Sequence, residues 1–150
     1  MVRELMKHVL VLHESLSGNT KRLADLVAEL LKQREAIVNV QSLRTFLNEP
    51  KARTQMQLEQ YDKVLIGTYT DDSHQPPELI EELLETYDLT EYNVAAFGTG
   101  DTQWGDSYCY AADVVAKESQ SKDPVLKIEQ MPAKTDLETI IEWLEAIGSE

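Results

Sequence analysis

Residues 8–20, HVLVLHESLSGNT, decide the fold of this chain. The first six are apolar at their centre and partly β-branched, which predicts a short buried strand. Small and polar turn formers follow at once, at residues 15–20. Behind them apolar residues recur three and four apart, as on one face of a helix: Leu23, Leu26, Val27, Leu30 and Leu31. The opening therefore predicts a buried strand, a polar loop and an amphipathic helix.

The same alternation continues along the chain. Apolar runs predict four further short strands, at residues 37–40, 63–69, 94–97 and 125–128. Helical spacing predicts helices at residues 79–87, at 108–118 and from Thr135 onward, where Thr135 and Glu138 have the spacing of a capping box. Residues 44–60 are poorly patterned and predict no more than a helical turn or two.

Five short strands separated by helices predict an α/β three-layer sandwich. Each return to a parallel neighbour needs a right-handed crossover, so helices cover both faces of a five-stranded parallel sheet. No shift in composition marks a second domain. We therefore expect a single domain over residues 1–150, with residues 1–5 as a short extension before Met6.

Composition narrows the classes of function. The 150 residues have 14 Lys and Arg against 27 Asp and Glu, a formal net charge of −13. Such a charge repels phosphate backbones and anionic lipid, so we expect no nucleic-acid or membrane binding and a basic protein as partner. Cys109 is the one cysteine, which excludes an intramolecular disulfide and fits a cytoplasmic protein. We expect a packed, inert thiol and no metal site.

The loop at residues 15–20 predicts a phosphate site. It precedes a helix N-terminus, where backbone N–H groups lack partners and the helix dipole favours an anion. Three hydroxyls and an amide add neutral donors, and Gly18 lets the backbone turn closely. The loop lacks the Gly-Lys-Ser/Thr run of a triphosphate loop and the spacing of a dinucleotide fingerprint. The alternative is a well-capped helix start without a ligand.

Ser15-Leu16-Ser17-Gly18-Asn19-Thr20 resembles the FMN-phosphate loop of the flavodoxins. Residues 63–70 (KVLIGTYT) resemble the third strand and second flavin loop of that family, and residues 97–113 (FGTGDTQWGDSYCYAAD) resemble its third flavin loop. The resemblance implies strand order 2-1-3-4-5, with FMN at the switch between strands 1 and 3. Flavodoxins are themselves a standard instance of ligand binding at such a switch point.

The resemblance also implies which residues hold FMN. The phosphate would lie on Ser15, Leu16, Ser17, Gly18, Asn19 and Thr20. The ring would lie between the second and third loops, near Thr68, Tyr69, Thr70, Asp71, His74, Thr99, Gly100, Asp101, Trp104 and Tyr108. Tyr69 and Trp104 are the aromatics available to stack on it, and the choice between them stays open. The family needs no catalytic residue of its own.

The second loop departs from the family pattern. Many short flavodoxins have an aromatic residue followed by Gly-Asp where this chain has residues 71–74, DDSH. A peptide of that loop turns toward the flavin in the one-electron reduced state, a change that glycine permits and a Cβ resists. We therefore expect weaker stabilisation of that state. We also expect His74 to face solvent, and the ring to be bordered by Asp71, Asp72, Asp101 and Asp106.

Three functions are compatible with these residues. The first is a monomeric electron carrier that accepts electrons from a flavodoxin reductase and passes them to an acceptor protein. The second rests on residues 100–108 (GDTQWGDSY) with Ala112-Asp113, which resemble the flavoproteins that activate manganese-dependent ribonucleotide reductase. The third is a module of the same fold without flavin. We favour the carrier, because the complete phosphate loop and the acidity resemble flavodoxin.

Overall fold

A computed structural model describes residues 6–70, 74–101, 103, 105 and 108–148. Its five strands form one parallel sheet in the order β2-β1-β3-β4-β5, as expected. The strands are β1 (His8–Glu14), β2 (Ile37–Ser42), β3 (Lys63–Tyr69), β4 (Val94–Gly100) and β5 (Leu126–Glu129). The helices are α1 (Asn19–Gln33), α2 (Leu43–Asn48), α3 (Lys51–Gln60), α4 (Glu78–Thr86), α5 (Tyr110–Glu118) and α6 (Leu137–Ile147).

Two hydrophobic clusters, one on each face of the sheet, form the core. Successive side chains of a strand point to opposite faces, so Val9 and Val11 of β1 join one cluster and Leu10 and Leu12 the other. Helices α1 and α6 cover the first face, and α2 to α5 cover the second. The three-layer sandwich is confirmed. In the part of the chain that the structure describes, no helix is both long and apolar enough to cross a bilayer.

The poorly patterned stretch contains two helices, α2 and α3, which is more structure than the sequence predicted. Ser42 starts α2, because its hydroxyl oxygen accepts a hydrogen bond from the Thr45 N–H at 3.1 Å. Helix α3 begins directly after Pro50, and its buried residues are Thr54 and Leu58. A helix that buries so little has no apolar stripe for sequence reasoning to detect.

Two helix starts differ from the expectation. Helix α5 begins at Tyr110 rather than Tyr108, because Cys109 is its N-cap with a left-handed φ of 54°. Helix α6 begins at Leu137 after a 3₁₀ turn, Lys134–Asp136. The Asp136 carboxylate accepts the Ala133 N–H at 2.8 Å there, so the expected capping box of Thr135 and Glu138 is wrong.

A buried lysine fixes the amino-terminal edge of the sheet. Lys63 at the start of β3 is 2% exposed. Its ammonium group donates to the Asn93 side chain at 3.0 Å, to the backbone oxygen of Ile147 at 3.2 Å and to the Asp123 carboxylate. These contacts join β3, the turn before β5 and the end of α6, at the edge opposite the polar loop.

Candidate functional site

The carboxyl ends of β1, β3 and β4 lie side by side at one edge of the sheet. The register pairs Glu14 with Thr68, and Tyr69 with Thr99. The loops that follow these strands therefore begin next to one another. This is the edge at which ligands bind in open α/β sheets.

The first loop ends in a glycine at the start of α1. Gly18 has a left-handed φ of 94° and is the N-cap of the helix, so the cap offers no side chain to the first helical N–H groups. The Gly18 N–H donates to the Ser15 hydroxyl at 3.0 Å, and its carbonyl accepts the Arg22 N–H at 2.9 Å. A Cβ at Gly18 would meet nothing within 4 Å, so the required φ explains the glycine. The helix start is open toward an anion.

A depression of about 210 Å³ lies in front of this helix start. It brings together the ends of β3, β4 and β5 with the first loop. Its lining residues are Leu16, Ser17, Asn19, Tyr69, Thr70, Thr99, Gly100, Asp101 and Gln130. All except Gln130 are residues that the sequence predicted for the site. Leu16 is an apolar residue at the rim and is 74% exposed.

Gln130 is the lining residue that sequence reasoning missed. Its N–H donates to the Gly100 carbonyl at 2.9 Å, which ties the end of β5 to the end of β4. The signal was present in the topology, because a fifth parallel strand must end at the same edge as the other four. The residue after that strand could therefore have been added to the site.

Two hydrogen bonds connect strand ends and helix starts around the depression. The hydroxyls of Thr20 and Thr99 are bonded at 2.8 Å, which connects the first loop to the third. The Thr70 hydroxyl accepts the Ala111 N–H at 2.9 Å, so the end of β3 caps the start of α5. Both bonds are buried. These bonds tie the starts of α1 and α5 to the ends of β4 and β3, and we call this set of contacts the frame of the depression.

Three further predicted residues make local contacts. The buried Thr68 hydroxyl donates to the Tyr69 carbonyl at 2.8 Å. The Asp101 carboxylate accepts the Gln103 N–H at 2.9 Å, which shapes the third loop. The Tyr108 N–H donates to the Gly105 carbonyl at 3.0 Å. Burial, assisted by Cys109, raises the pKa of Tyr108 to about 12, so its phenol stays neutral.

Cys109 is the packed thiol that the sequence predicted. It is 1% exposed, and burial raises its pKa to about 12. The thiolate needed for nucleophilic chemistry is therefore scarce at neutral pH.

Gly100 lies close to the backbone of Cys109. A Cβ at Gly100 would lie 3.1 Å from the Cys109 backbone nitrogen, so glycine allows this close approach at the end of β4.

One described residue of the predicted ring site, His74, does not line the depression. His74 is exposed, as expected, and has a left-handed φ of 63°. Asp71 and Trp104 lie outside the described residues, as do Asp72 and Asp106 of the acidic border. Among the residues that the structure describes, Tyr69 is the aromatic one that lines the depression.

Two titratable groups lie at the end of β1, just before the first loop. Burial lowers the pKa of His13, with Asp25 opposing the shift, so the imidazole is neutral at pH 7. Burial raises the pKa of Glu14, and Arg44 opposes that shift. Neither group adds a cation to the first loop. Its attraction for an anion therefore rests on the helix start and on neutral donors.

Comparison with known proteins shows which family this chain belongs to. The sequence profile described as Flavodoxin matches residues 11–143. The chain belongs to the flavodoxin family. It is 29% identical over 147 residues to the probable flavodoxin 2 of Bacillus subtilis, covering 92% of each chain. It is 30% identical over 135 residues to the probable flavodoxin 1 of the same organism, covering 85% of this chain and 80% of that one.

A solved flavodoxin structure agrees with the family assignment. Oxidised flavodoxin 2 from Bacillus cereus superimposes with a TM-score of 0.77 at 28% identity, covering 93% of this chain and 97% of the other. Flavodoxins bind FMN, so the expected cofactor is confirmed for this member. The site fits it, because Ser17, Asn19 and the open α1 start can pair with one phosphate.

Proposed function

We propose that this flavodoxin accepts electrons from a flavodoxin reductase and delivers them to acceptor proteins. The observation that supports the proposal best is the convergence of the first loop and the hydrogen-bonded ends of β3 and β4 on one depression at the start of α1. Bound FMN supplies the reversible electron transfer. The chain binds and orients it, and electron transfer of this kind needs no acid, base or nucleophile from the protein.

The proposed binding mode divides the loops by chemistry. The phosphate lies on the first loop, at residues 15–20, and pairs with the side chains of Ser15, Ser17, Asn19 and Thr20 and with the backbone N–H groups at the start of α1. The ring lies between the second loop at residues 68–74 and the third at residues 99–108, against Tyr69. The frame fixes Thr20, Thr70 and Thr99 beside the depression. Side chains that are already held lose less entropy when FMN binds.

Charge supports a basic partner. The net charge of −13 produces a long-range field that attracts cationic surfaces, and Asp101 lies at the depression itself. Steering of this kind raises the rate of encounter without requiring a tight complex, which suits an electron carrier.

We propose that the protein is monomeric and cytoplasmic. The single, buried Cys109 is compatible with a reducing compartment.

The activator of manganese-dependent ribonucleotide reductase remains the second candidate from the sequence. Its support is the third-loop resemblance alone. The relatives described above are flavodoxins, and they give this alternative no support.

Stopped-flow reduction of the FMN-loaded protein by a flavodoxin reductase tests the carrier function. We expect fast reduction at low salt and a steep fall as the screening length shortens to about 8 Å near physiological ionic strength. Asp101→Asn should slow reduction at low salt more than Glu91→Gln, a matched charge removal on the 3₁₀ turn before β4. If the reductase fails to reduce the protein at every salt concentration, the proposed carrier function is wrong. If the rate does not depend on salt concentration, the proposal of a basic partner is wrong.

A further inference from the structure

The side chains of Thr20 and Thr99 meet behind the first loop. Thr20 is 1% exposed and Thr99 is 3% exposed, and their hydroxyl oxygens are 2.8 Å apart. Thr20 is the second residue of α1, and Thr99 is the penultimate residue of β4. Thr99 also lines the depression. The bond therefore joins the start of α1 directly to the strand that leads into the third loop.

One hydroxyl hydrogen lies between the two oxygens, and either oxygen can be its donor. A hydroxyl has one hydrogen to donate and can accept at its lone pairs. If Thr20 donates to Thr99, its hydrogen is committed and it has none for a ligand. If Thr99 donates to Thr20, the Thr20 hydrogen is free for another acceptor.

A phosphate monoester at neutral pH offers acceptor oxygens to these hydroxyls. If the phosphate at the α1 start accepts from Thr20, it selects the second arrangement, in which Thr99 donates to Thr20 and Thr20 donates to the phosphate. Consecutive hydrogen bonds of this kind polarise and strengthen one another in a buried site. A hydrogen bond to a charged group is also about twice as strong as a neutral one.

We propose that Thr99 is a positioning residue for the cofactor phosphate, acting through the Thr20 hydroxyl. This inference rests on the proposed phosphate site and assigns to Thr99 a role different from the ring contact implied by the sequence. The position of Thr99 is well fixed. Its strand neighbour Gly100 accepts the Gln130 N–H, and its β-branched side chain has few rotamers.

FMN and riboflavin distinguish this role from a structural one, because riboflavin has the same ring system without the phosphate. We would measure the affinity of the apoprotein for both ligands in Thr99→Val, which keeps the shape and removes the hydroxyl. We expect FMN binding to weaken about tenfold and riboflavin binding to change less than about twofold. Thr99→Ser should restore most of the FMN affinity.

A matched control is Thr54→Val. Thr54 is also buried and its hydroxyl is also bonded to another hydroxyl, that of Tyr87, but it does not line the depression. The Thr54→Val substitution should lower thermal stability without changing the ratio of FMN affinity to riboflavin affinity. If Thr99→Val does not fold, Thr99→Ala removes the same hydroxyl without adding a methyl group.

Equal weakening of FMN and riboflavin by Thr99→Val would overturn the inference and assign Thr99 to the ring or to the frame. Unchanged FMN affinity would overturn it as well. Thr20→Val separates this failure from failure of the phosphate site. A reduced FMN preference in Thr20→Val, with none in Thr99→Val, would refute the role of Thr99 alone. An unaltered preference in both variants would also remove Thr20 from the phosphate site.

Discussion

Ser17 and Asn19 are the polar side chains of the first loop that line the depression. If they bind phosphate, removal of one hydroxyl loses a hydrogen bond to a charged group, worth about 1.5–3 kcal/mol. We expect Ser17→Ala to weaken FMN binding by about tenfold or more without lowering thermal stability. Ser121→Ala, in the turn before β5 near Lys63, is the control and should leave FMN affinity unchanged. Equal affinities in both variants would exclude Ser17 from the site.

Cys109 should be unreactive in the folded protein. Burial and the raised pKa of about 12 leave little accessible thiolate at pH 8. We expect a chromogenic disulfide reagent to titrate one thiol rapidly in denaturant and much more slowly in native buffer. Rapid labelling of the native protein would show that the thiol is accessible.

His13 should make stability fall on mild acidification. Its folded pKa lies below the ordinary value of 6.5, so between about pH 7 and the folded pKa the unfolded chain binds a proton that the folded chain does not. The contribution of neutral His13 to stability is therefore fully present above the ordinary pKa and is lost as the pH falls toward the folded pKa. Denaturant unfolding gives the free energy of unfolding at each pH from about 7.5 to about 5.5. That free energy should fall less steeply with decreasing pH for His13→Asn than for the unaltered chain. Parallel slopes would refute this assignment.

At the scale of elements, the sequence predicted those strands and helices whose buried residues form a regular apolar pattern. Five apolar runs gave the strands, and α1 was visible because its inward residues recur with helical spacing. Helix α3 was not visible, since its buried residues are Thr54 and Leu58. The predicted start of α5 was two residues too early, because Cys109 has a left-handed φ and the helix begins only after it. Such a conformation depends on tertiary contacts, and a non-glycine residue gives no sign of it.

The cluster around Lys63 links three elements and predicts a large effect of a single substitution. Lys63→Met would leave the Asp123 carboxylate and the Ile147 carbonyl without the ammonium donor. Removal of one partner of a buried ion pair destabilises by about 3 kcal/mol or more, because the other charge stays buried and unpaired. We expect a loss of about that size in urea unfolding.

The double variant Lys63→Met with Asp123→Leu tests the cause. If the unpaired carboxylate dominates, the second substitution should recover part of the lost stability, giving a non-additive cycle. Additive losses would show that the packing of the lysine stem, rather than its charge, stabilises this edge.

At the scale of the whole molecule, the order of the strands places the site. The sequence resemblance predicted the order 2-1-3-4-5, and eight of the residues it named line the depression. The hydrogen bonds of Thr20 with Thr99, and of Thr70 with Ala111, were not predictable from the sequence. They join residues 79 and 41 positions apart, which no local pattern reveals.

The central claim is that the loop at residues 15–20 binds the phosphate of FMN. Fluorescence titration of the apoprotein with FMN and with riboflavin tests it most directly, because the two ligands differ only in the phosphate. We predict one FMN per chain with quenched flavin fluorescence, and an affinity for FMN at least tenfold above that for riboflavin, a difference of about 1.4 kcal/mol. Equal affinities for the two ligands, or no binding of either, would contradict the account.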